Sequence, residues 1–131
     1  MSSGSPARTV LAVFLGYLTF LMLEIVLGFL AAAFLHSTNR ASLVITAELL
    51  TFLSAAAGGA VAARMAPERP LAHAGALGLA VLTVTIAVSV LVPQRAQSPF
   101  PAWFPFASAV FGGAGAFLGG GLVTLSRTQR E

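Results

Sequence analysis

Residues 10–35 read VLAVFLGYLTFLMLEIVLGFLAAAFL, and the only charged side chain in this run is that of Glu24. A helix of about 20 apolar residues crosses the hydrocarbon core of a bilayer, which is roughly 30 Å thick. The run is therefore long and apolar enough to be a membrane span, and it decides the fold class. Similar runs follow at residues 42–63, 71–92 and 103–125.

The composition of the whole chain supports the same interpretation. The 131 residues are 57% hydrophobic and 8% charged, with a mean hydropathy of +0.91, whereas soluble domains carry roughly a quarter charged residues. The isoelectric point of 11.2 comes from arginines spread singly along the chain, a pattern that argues against nucleic-acid binding. The absence of cysteine excludes disulfides and thiolate chemistry. We expect a single transmembrane domain over residues 1–131, with the lipid bilayer around it.

The connections between the apolar runs are short, so consecutive helices should be antiparallel neighbours. We therefore predict an all-α membrane protein, an antiparallel bundle of four transmembrane helices. A β-barrel would show alternating segments of about ten residues, whereas these runs are apolar on all sides. The first run is also longer than the apolar core of a secretory signal peptide, which spans roughly 7–15 residues.

The arginines predict the orientation of the bundle. One side would carry five of them and the other side two: Arg8, Arg64, Arg69, Arg127 and Arg130 against Arg40 and Arg95. By the positive-inside rule, the five-arginine side and both termini face the cytoplasm, as in a multi-pass protein of a bacterial inner membrane. Trp103 and Phe104 would anchor the fourth span at the outer interface, and Arg64 and Arg69 would lie at the cytoplasmic one.

Small residues recur at four-residue spacing in the predicted spans, a pattern that lets helices approach closely in lipid. They are Ala55, Gly59 and Ala63 in the second span and Gly112, Ala116 and Gly120 in the fourth, where Gly115 and Gly119 form a second register. One interpretation is a tight four-helix monomer. The other is that the fourth helix, which is smooth on more than one side, also mediates self-association.

Glu24 lies near the middle of the first predicted span, where an ionisable group costs at least about 2.5 kcal/mol. Its helical stripe contains Tyr17, Gly28 and Ala31, so we expect the carboxyl to face another helix rather than lipid. With Glu48 and Tyr17 as the other candidate ionisable residues within the spans, it could be a protonatable site for a proton or a cation. The alternative is a neutral, protonated glutamic acid hydrogen-bonded across a helix interface.

Glu48 lies two turns into the second predicted span, on a stripe that it shares with Thr51 and Ala55. It could point inward, but we favour a position at the outer interface, paired with Arg40, because long side chains near span ends reach toward water. Counted from the intervening turn, the depths of Glu24 and Glu48 differ by about 6 Å. A direct pair would therefore need a helix offset or a bridging water.

The other features that could support chemistry are sparse. His36 and His73 fall at opposite membrane faces, about 30 Å apart, so we expect solvated or helix-capping histidines and no metal site. The chain has no aspartate for a Ser-His-Asp triad, and its glycine-rich stretches lack the Lys-Ser/Thr of a phosphate-binding loop. We expect no catalytic residues, no cofactor and no enzymatic activity.

Two segments carry a resemblance to a known group of proteins. Residues 58–64 read GGAVAAR, with LAHA following at 71–74, and residues 101–105 read PAWFP. The chain resembles small, uncharacterised bacterial membrane proteins with four spans, in which Gly-Gly-x-x-Ala-Ala ends the second helix and Pro-x-Trp precedes the fourth. This resemblance implies the fold, and it transfers no site residues because the group has no assigned activity.

The small multidrug resistance transporters offer a second comparison, because they are four-span proteins with an essential membrane glutamate in the first helix. Glu24 is similar in position to that glutamate. The aromatic residues of their binding chamber are missing here, since the second and third spans contain a single aromatic residue, Phe52.

Two functions are compatible with these features. The one we favour is a non-catalytic subunit or assembly partner in a membrane complex or homo-oligomer, with Glu24 forming a hydrogen bond between helices. The alternative is a small proton-coupled transporter or channel that uses Glu24 as its titratable site. We place it second because one mid-membrane carboxyl in an apolar interior offers a substrate little to bind.

Overall fold

The computed structural model describes residues 6–35, 39–66, 68–92 and 100–129. These residues form four α-helices, which are α1 (Pro6–Leu35), α2 (Arg40–Met65), α3 (Pro70–Leu91) and α4 (Phe104–Thr128). The prediction of an all-helical fold is confirmed for this part of the chain. All four helices are long and apolar enough to cross a membrane, judged by length and composition. The predicted spans lie inside them except at Val92 and Trp103, which cap α3 and α4.

Capping residues set several of the helix ends. Asn39 precedes α2 in extended conformation, and its side chain accepts a hydrogen bond from the Ser42 backbone N–H at 2.9 Å. This bond satisfies one of the amide groups that have no partner within the first turn. Proline stands in the first turn of both α3 and α4, where its missing N–H costs nothing.

The contacts between helices show the direction of each pair. Residues further along α1 contact residues earlier in α2: Gly16 contacts Gly58, and Glu24 contacts Thr51. The contacts also run in opposite order along α3 and α4, as in Gly78 to Gly113 and Ala74 to Gly120. Along α2 and α4 the contacts run in the same direction, since Phe52 meets Gly115 and Ala56 meets Gly119. Consecutive helices are therefore antiparallel, and α2 and α4 are parallel.

The interface between α2 and α4 is the most extensive one in the bundle. A methyl group on Gly59 would collide with the backbone of Ala116, and one on Gly119 would collide with the backbone of Ala56. A methyl group on Gly115 would likewise meet the carbonyl oxygen of Phe52. The two helices thus touch backbone to backbone, which only glycine at these positions allows.

The small residues at four-residue spacing in α2 and α4 lie inside the bundle; these are Ala55, Gly59, Ala63, Gly112, Gly115, Ala116, Gly119 and Gly120. The two glycine registers of α4 have different partners. Gly115 and Gly119 pack on α2, whereas Gly112 and Gly120 pack on Val81 and Ala74 of α3. The faces that suggested self-association through α4 are therefore occupied within one chain, as in the tight-monomer interpretation.

Packing is uneven along the bundle. The buried residues of α1 lie in its N-terminal half and those of α3 in its N-terminal two thirds; they are Ala12, Gly16, Phe20, Ala74, Leu77, Gly78 and Val81. Beyond them the helices are open, and Phe34 near the end of α1 is 79% exposed. Within the described ranges α1 contacts α2 and α3 but not α4. The bundle is tight at one end and loose at the other.

We expect Gly119→Ala to lower the free energy of unfolding by about 1–3 kcal/mol, the usual cost of overpacking. The added methyl group collides with the backbone of Ala56, which cannot move aside as a flexible side chain could. Thermal unfolding of the purified protein in detergent measures the effect. Gly121→Ala is the matched control, because the nearest atom to its new methyl group is Leu71 Cδ2 at 4.0 Å. Equal stability of the two variants would contradict backbone contact between α2 and α4.

Candidate functional site

Glu24 extends from α1 to α2. The Thr51 hydroxyl donates a hydrogen bond of 2.7 Å to Glu24 Oε1, and within the described part of the chain Glu24 Oε2 is buried with no hydrogen-bond partner. One turn earlier, Phe20 is buried and its Cβ lies close to Gly58. Glu24 therefore faces another helix, as its stripe of small residues indicated.

Glu48 lies inside the bundle between α2 and α4. It is 9% exposed, and the Ser108 hydroxyl of α4 donates a hydrogen bond of 2.9 Å to its Oε1. Its Oε2 is buried, and no described residue offers it a hydrogen bond. The prediction that Glu48 reaches the outer interface and pairs with Arg40 is wrong. The stripe that carries Glu48 is the face packed on α4, where Ser108 supplies the donor.

The two carboxyl groups are neighbours. Thr51 follows Glu48 by one turn of α2, so the Glu24–Thr51 hydrogen bond brings Glu24 within about one helical turn of Glu48 along the bundle axis. Each carboxyl has its own hydroxyl donor, which is Thr51 for Glu24 and Ser108 for Glu48.

The polar side chains of α2 in this site form one stripe along the helix. Glu48, Thr51 and Ser54 follow one another at three-residue spacing, and all three are buried. Ser54 is 1% exposed, and its hydroxyl has no hydrogen-bond partner among the described residues. The sequence analysis did not identify Thr51, Ser54 and Ser108 as members of a site. The three-residue spacing of polar side chains in an apolar span was the available signal for the two on α2.

Within the described ranges, two strong acceptors have no donor in an apolar interior. Each carboxyl has one oxygen bonded to a hydroxyl group and one oxygen that no described residue hydrogen-bonds. A buried polar atom without a partner costs about 1–3 kcal/mol. A proton bound to a free oxygen turns it into a donor, and a water molecule that reaches the pair supplies the missing bonds. The chemistry that fits these groups is reversible binding of a proton.

Tyr17, the third member of the predicted ionisable site, lies two turns from Glu24 along α1. It is partly buried, and its ring packs against that of Phe20 with centroids 5.9 Å apart. The ring contact belongs to the packing of α1 on the bundle. Among the described residues the Tyr17 hydroxyl makes no hydrogen bond with Glu24 or Glu48, so Tyr17 is not part of the carboxyl cluster.

His73 lies in the first turn of α3 and links it to α1. Its Nδ1 donates to the carbonyl oxygen of Arg69 at 2.8 Å, since a carbonyl can only accept, and its Nε2 lies 3.2 Å from Thr9 Oγ1. The ring therefore accepts no hydrogen bond from a free N–H of the first turn and is not an N-terminal cap of α3. His36 lies outside the described residues. Within those residues no group of three or more His, Asp or Glu side chains is placed to hold a metal ion.

The predicted anchors lie at the helix ends. Trp103 precedes α4 and is exposed, and Phe104 stacks on Phe100 with ring centroids 4.2 Å apart. Arg64 and Arg69 are exposed at the end of α2 and just before α3. These positions are compatible with contacts to the two surfaces of a bilayer.

Comparison of the chain with protein-family models, with curated proteins and with solved structures finds no match. The resemblance to small four-span bacterial membrane proteins therefore stays a prediction.

Ser108→Ala should lower the free energy of unfolding by about 0.6–1.7 kcal/mol, the range measured for hydrogen bonds between membrane helices. The variant removes the donor to Glu48 and leaves that carboxyl with no bonded oxygen. Ser89→Ala is the control, because the Ser89 hydroxyl donates to Thr85 of its own helix at 2.6 Å. The free energies of unfolding of the two variants are measured in detergent. A loss of stability in Ser108→Ala no larger than that in Ser89→Ala would contradict the Glu48–Ser108 hydrogen bond.

Proposed function

We propose that the protein is a small proton-coupled transporter or channel of a bacterial inner membrane, with both termini in the cytoplasm. The Glu24–Glu48 pair is its proton-binding site. One observation carries the proposal: the two carboxyls lie about one helical turn apart, and each has a buried Oε2 that no described residue hydrogen-bonds. The five-to-two distribution of arginines supports the orientation.

A purely structural role explains this pair poorly. Hydroxyl or amide side chains hold membrane helices together without an ionisable group, and ionisable residues within spans usually mark ion or proton paths. Two carboxylates that share one site repel each other, and a bound proton removes the repulsion. The pair therefore has a reason to take up a proton, and the hydroxyl groups of Thr51 and Ser108 hold the carboxyls in place while it does so.

The position of the Glu24–Glu48 pair supports access of protons from one side of the membrane. Gly28 lies one turn beyond Glu24 on the same stripe of α1, and within the described chain a Cβ placed there would meet no atom within 4 Å. At Gly16, by contrast, an added Cβ would lie 2.8 Å from the Gly58 carbonyl oxygen. The helices thus separate just past Glu24, toward the proposed outer face, and close on the proposed cytoplasmic side.

Glu24→Gln should abolish proton flux in liposomes that contain the purified protein and a pH-sensitive dye. Glutamine keeps the acceptor for Thr51 but cannot bind a proton at neutral pH. Glu68→Gln is the control, because Glu68 is exposed in the connection between α2 and α3 and its loss should leave the flux unchanged. Infrared spectra of wild type should also contain a carboxylic-acid C=O band that titrates and that Glu24→Gln alters. Absence of flux and of a titrating band in wild type would refute the proposal.

A specific observation also favours the assembly function. Gly28 and Ala32 are exposed at four-residue spacing on α1, the helix with the least cover. The glycines at 112, 115, 119 and 120 of α4 are, by contrast, already packed on α2 and α3. Such spacing is typical of close helix pairs in membranes. The second candidate is therefore a homo-oligomer in which α1 of one chain packs on α1 of another near Gly28.

Cysteine cross-linking tests this second candidate directly, because the chain has no cysteine of its own. We expect Gly28→Cys to form a disulfide-linked dimer when membranes are oxidised, since the two glycine faces would be in contact. Val110→Cys is the control, at an α4 position that is 62% exposed. Equal cross-linking at both positions indicates random collision, and no cross-linking at Gly28 contradicts the α1 contact.

A further inference from the structure

The C-terminal ends of α2 and α4 meet at the end of the bundle opposite the loose one, because these helices run parallel. Between them lies a half-open cavity of about 320 Å³ that is lined by Arg64, Val123, Ser126 and Arg127. No residue of the Glu24–Glu48 pair lines it. It is therefore a separate feature, and an inference from it does not depend on the proton site.

Arg127 is fixed in this cavity by the backbone of α2. Its Nη2 donates to the carbonyl oxygen of Arg64 at 3.3 Å, and a C-terminal carbonyl is a favourable partner for a cation. A guanidinium has five N–H donors, so this bond leaves most of them available. Arg64 lines the same cavity and is exposed. Two arginines therefore border one small cavity.

The lining has an unbalanced positive charge. Among the glutamates that the structure describes, Glu24 and Glu48 lie within the bundle and Glu68 in the connection before α3, and none lines the cavity. Two neighbouring cations without an acid between them repel each other, and an anion relieves that repulsion. Guanidinium groups bind phosphate with paired, charge-assisted hydrogen bonds, which makes a phosphate group the anion that best fits.

The surroundings suggest a phosphate that carries an apolar tail. Val123 forms part of the cavity lining, and Leu122 and Leu125 on the same turns of α4 are exposed. In the proposed orientation the cavity lies at the height of the lipid headgroups of the cytoplasmic leaflet, next to an apolar helix surface. We propose that the Arg64–Arg127 cavity binds the phosphate group of a phosphate ester, supplied by an anionic phospholipid headgroup or by a soluble phosphate compound.

Native mass spectrometry of the detergent-purified chain tests this with three probes, which are phosphatidylglycerol, diacylglycerol with the same acyl chains, and glycerol phosphate. We expect bound phosphatidylglycerol and no bound diacylglycerol. Binding of glycerol phosphate at similar concentration identifies a soluble ligand, and its absence identifies the lipid; the phosphate site stands in both cases. Equal binding of diacylglycerol would overturn it, because acyl chains would then account for the affinity.

Substitutions of the two arginines test whether the phospholipid binds in this cavity. Arg64→Gln should lose the bound phosphatidylglycerol while the protein stays folded, because only the backbone of Arg64 takes part in the bond to Arg127. Arg127→Gln should lose it too, and Arg127→Lys should restore it in part, since lysine keeps the charge without paired hydrogen bonds. Arg40→Gln at the opposite end of the bundle is the control and should bind as wild type does. Unchanged binding in Arg64→Gln, or equal loss in Arg40→Gln, would refute the site.

Discussion

Backbone contact between the parallel helices α2 and α4 is the constraint on which the rest of the structure depends. In lipid the burial of apolar surface drives helix association only weakly, so close approach of the backbones has to supply the attraction. The glycines at 59, 115 and 119 permit that approach. Because the two helices are parallel and in this register, Ser108 lies opposite Glu48 and Arg127 lies over the end of α2.

The polar site depends on two helix registers, that of α2 with α4 and that of α1 with α2. The antiparallel contact of α1 with α2 sets Glu24 opposite Thr51, while the α2–α4 contact sets Glu48 opposite Ser108. Each carboxyl is therefore positioned by a different helix pair, and only α2 is common to both. A shift of either register by one residue would turn a carboxyl away from its donor and toward apolar side chains.

Much of this architecture is predictable from the sequence. The apolar runs predict the four helices because only helices and closed β-barrels satisfy the backbone in lipid, and these runs lack the alternation of barrel strands. The spacing of small residues predicts which faces pack. The partner of each face does not follow from spacing alone, since the glycines of α4 suit another chain as well as α2 and α3. The position of Glu48 was predicted wrongly for a related reason: its distance from the span end indicated an interfacial side chain, and the donor that holds it inside lies 60 residues away in the chain.

The uneven packing along the bundle has a mechanical consequence. The contact between Gly16 and Gly58 and the buried Phe20 belong to the part of α1 that packs on the bundle, whereas the part beyond Glu24 is largely uncovered. Glu24 lies at the boundary between these two parts, whereas Glu48 and Ser108 belong to the α2–α4 pair. Because α1 has no contact with α4 in the described ranges, a small tilt of the uncovered part would change the separation of the two carboxyls while the α2–α4 interface stays intact.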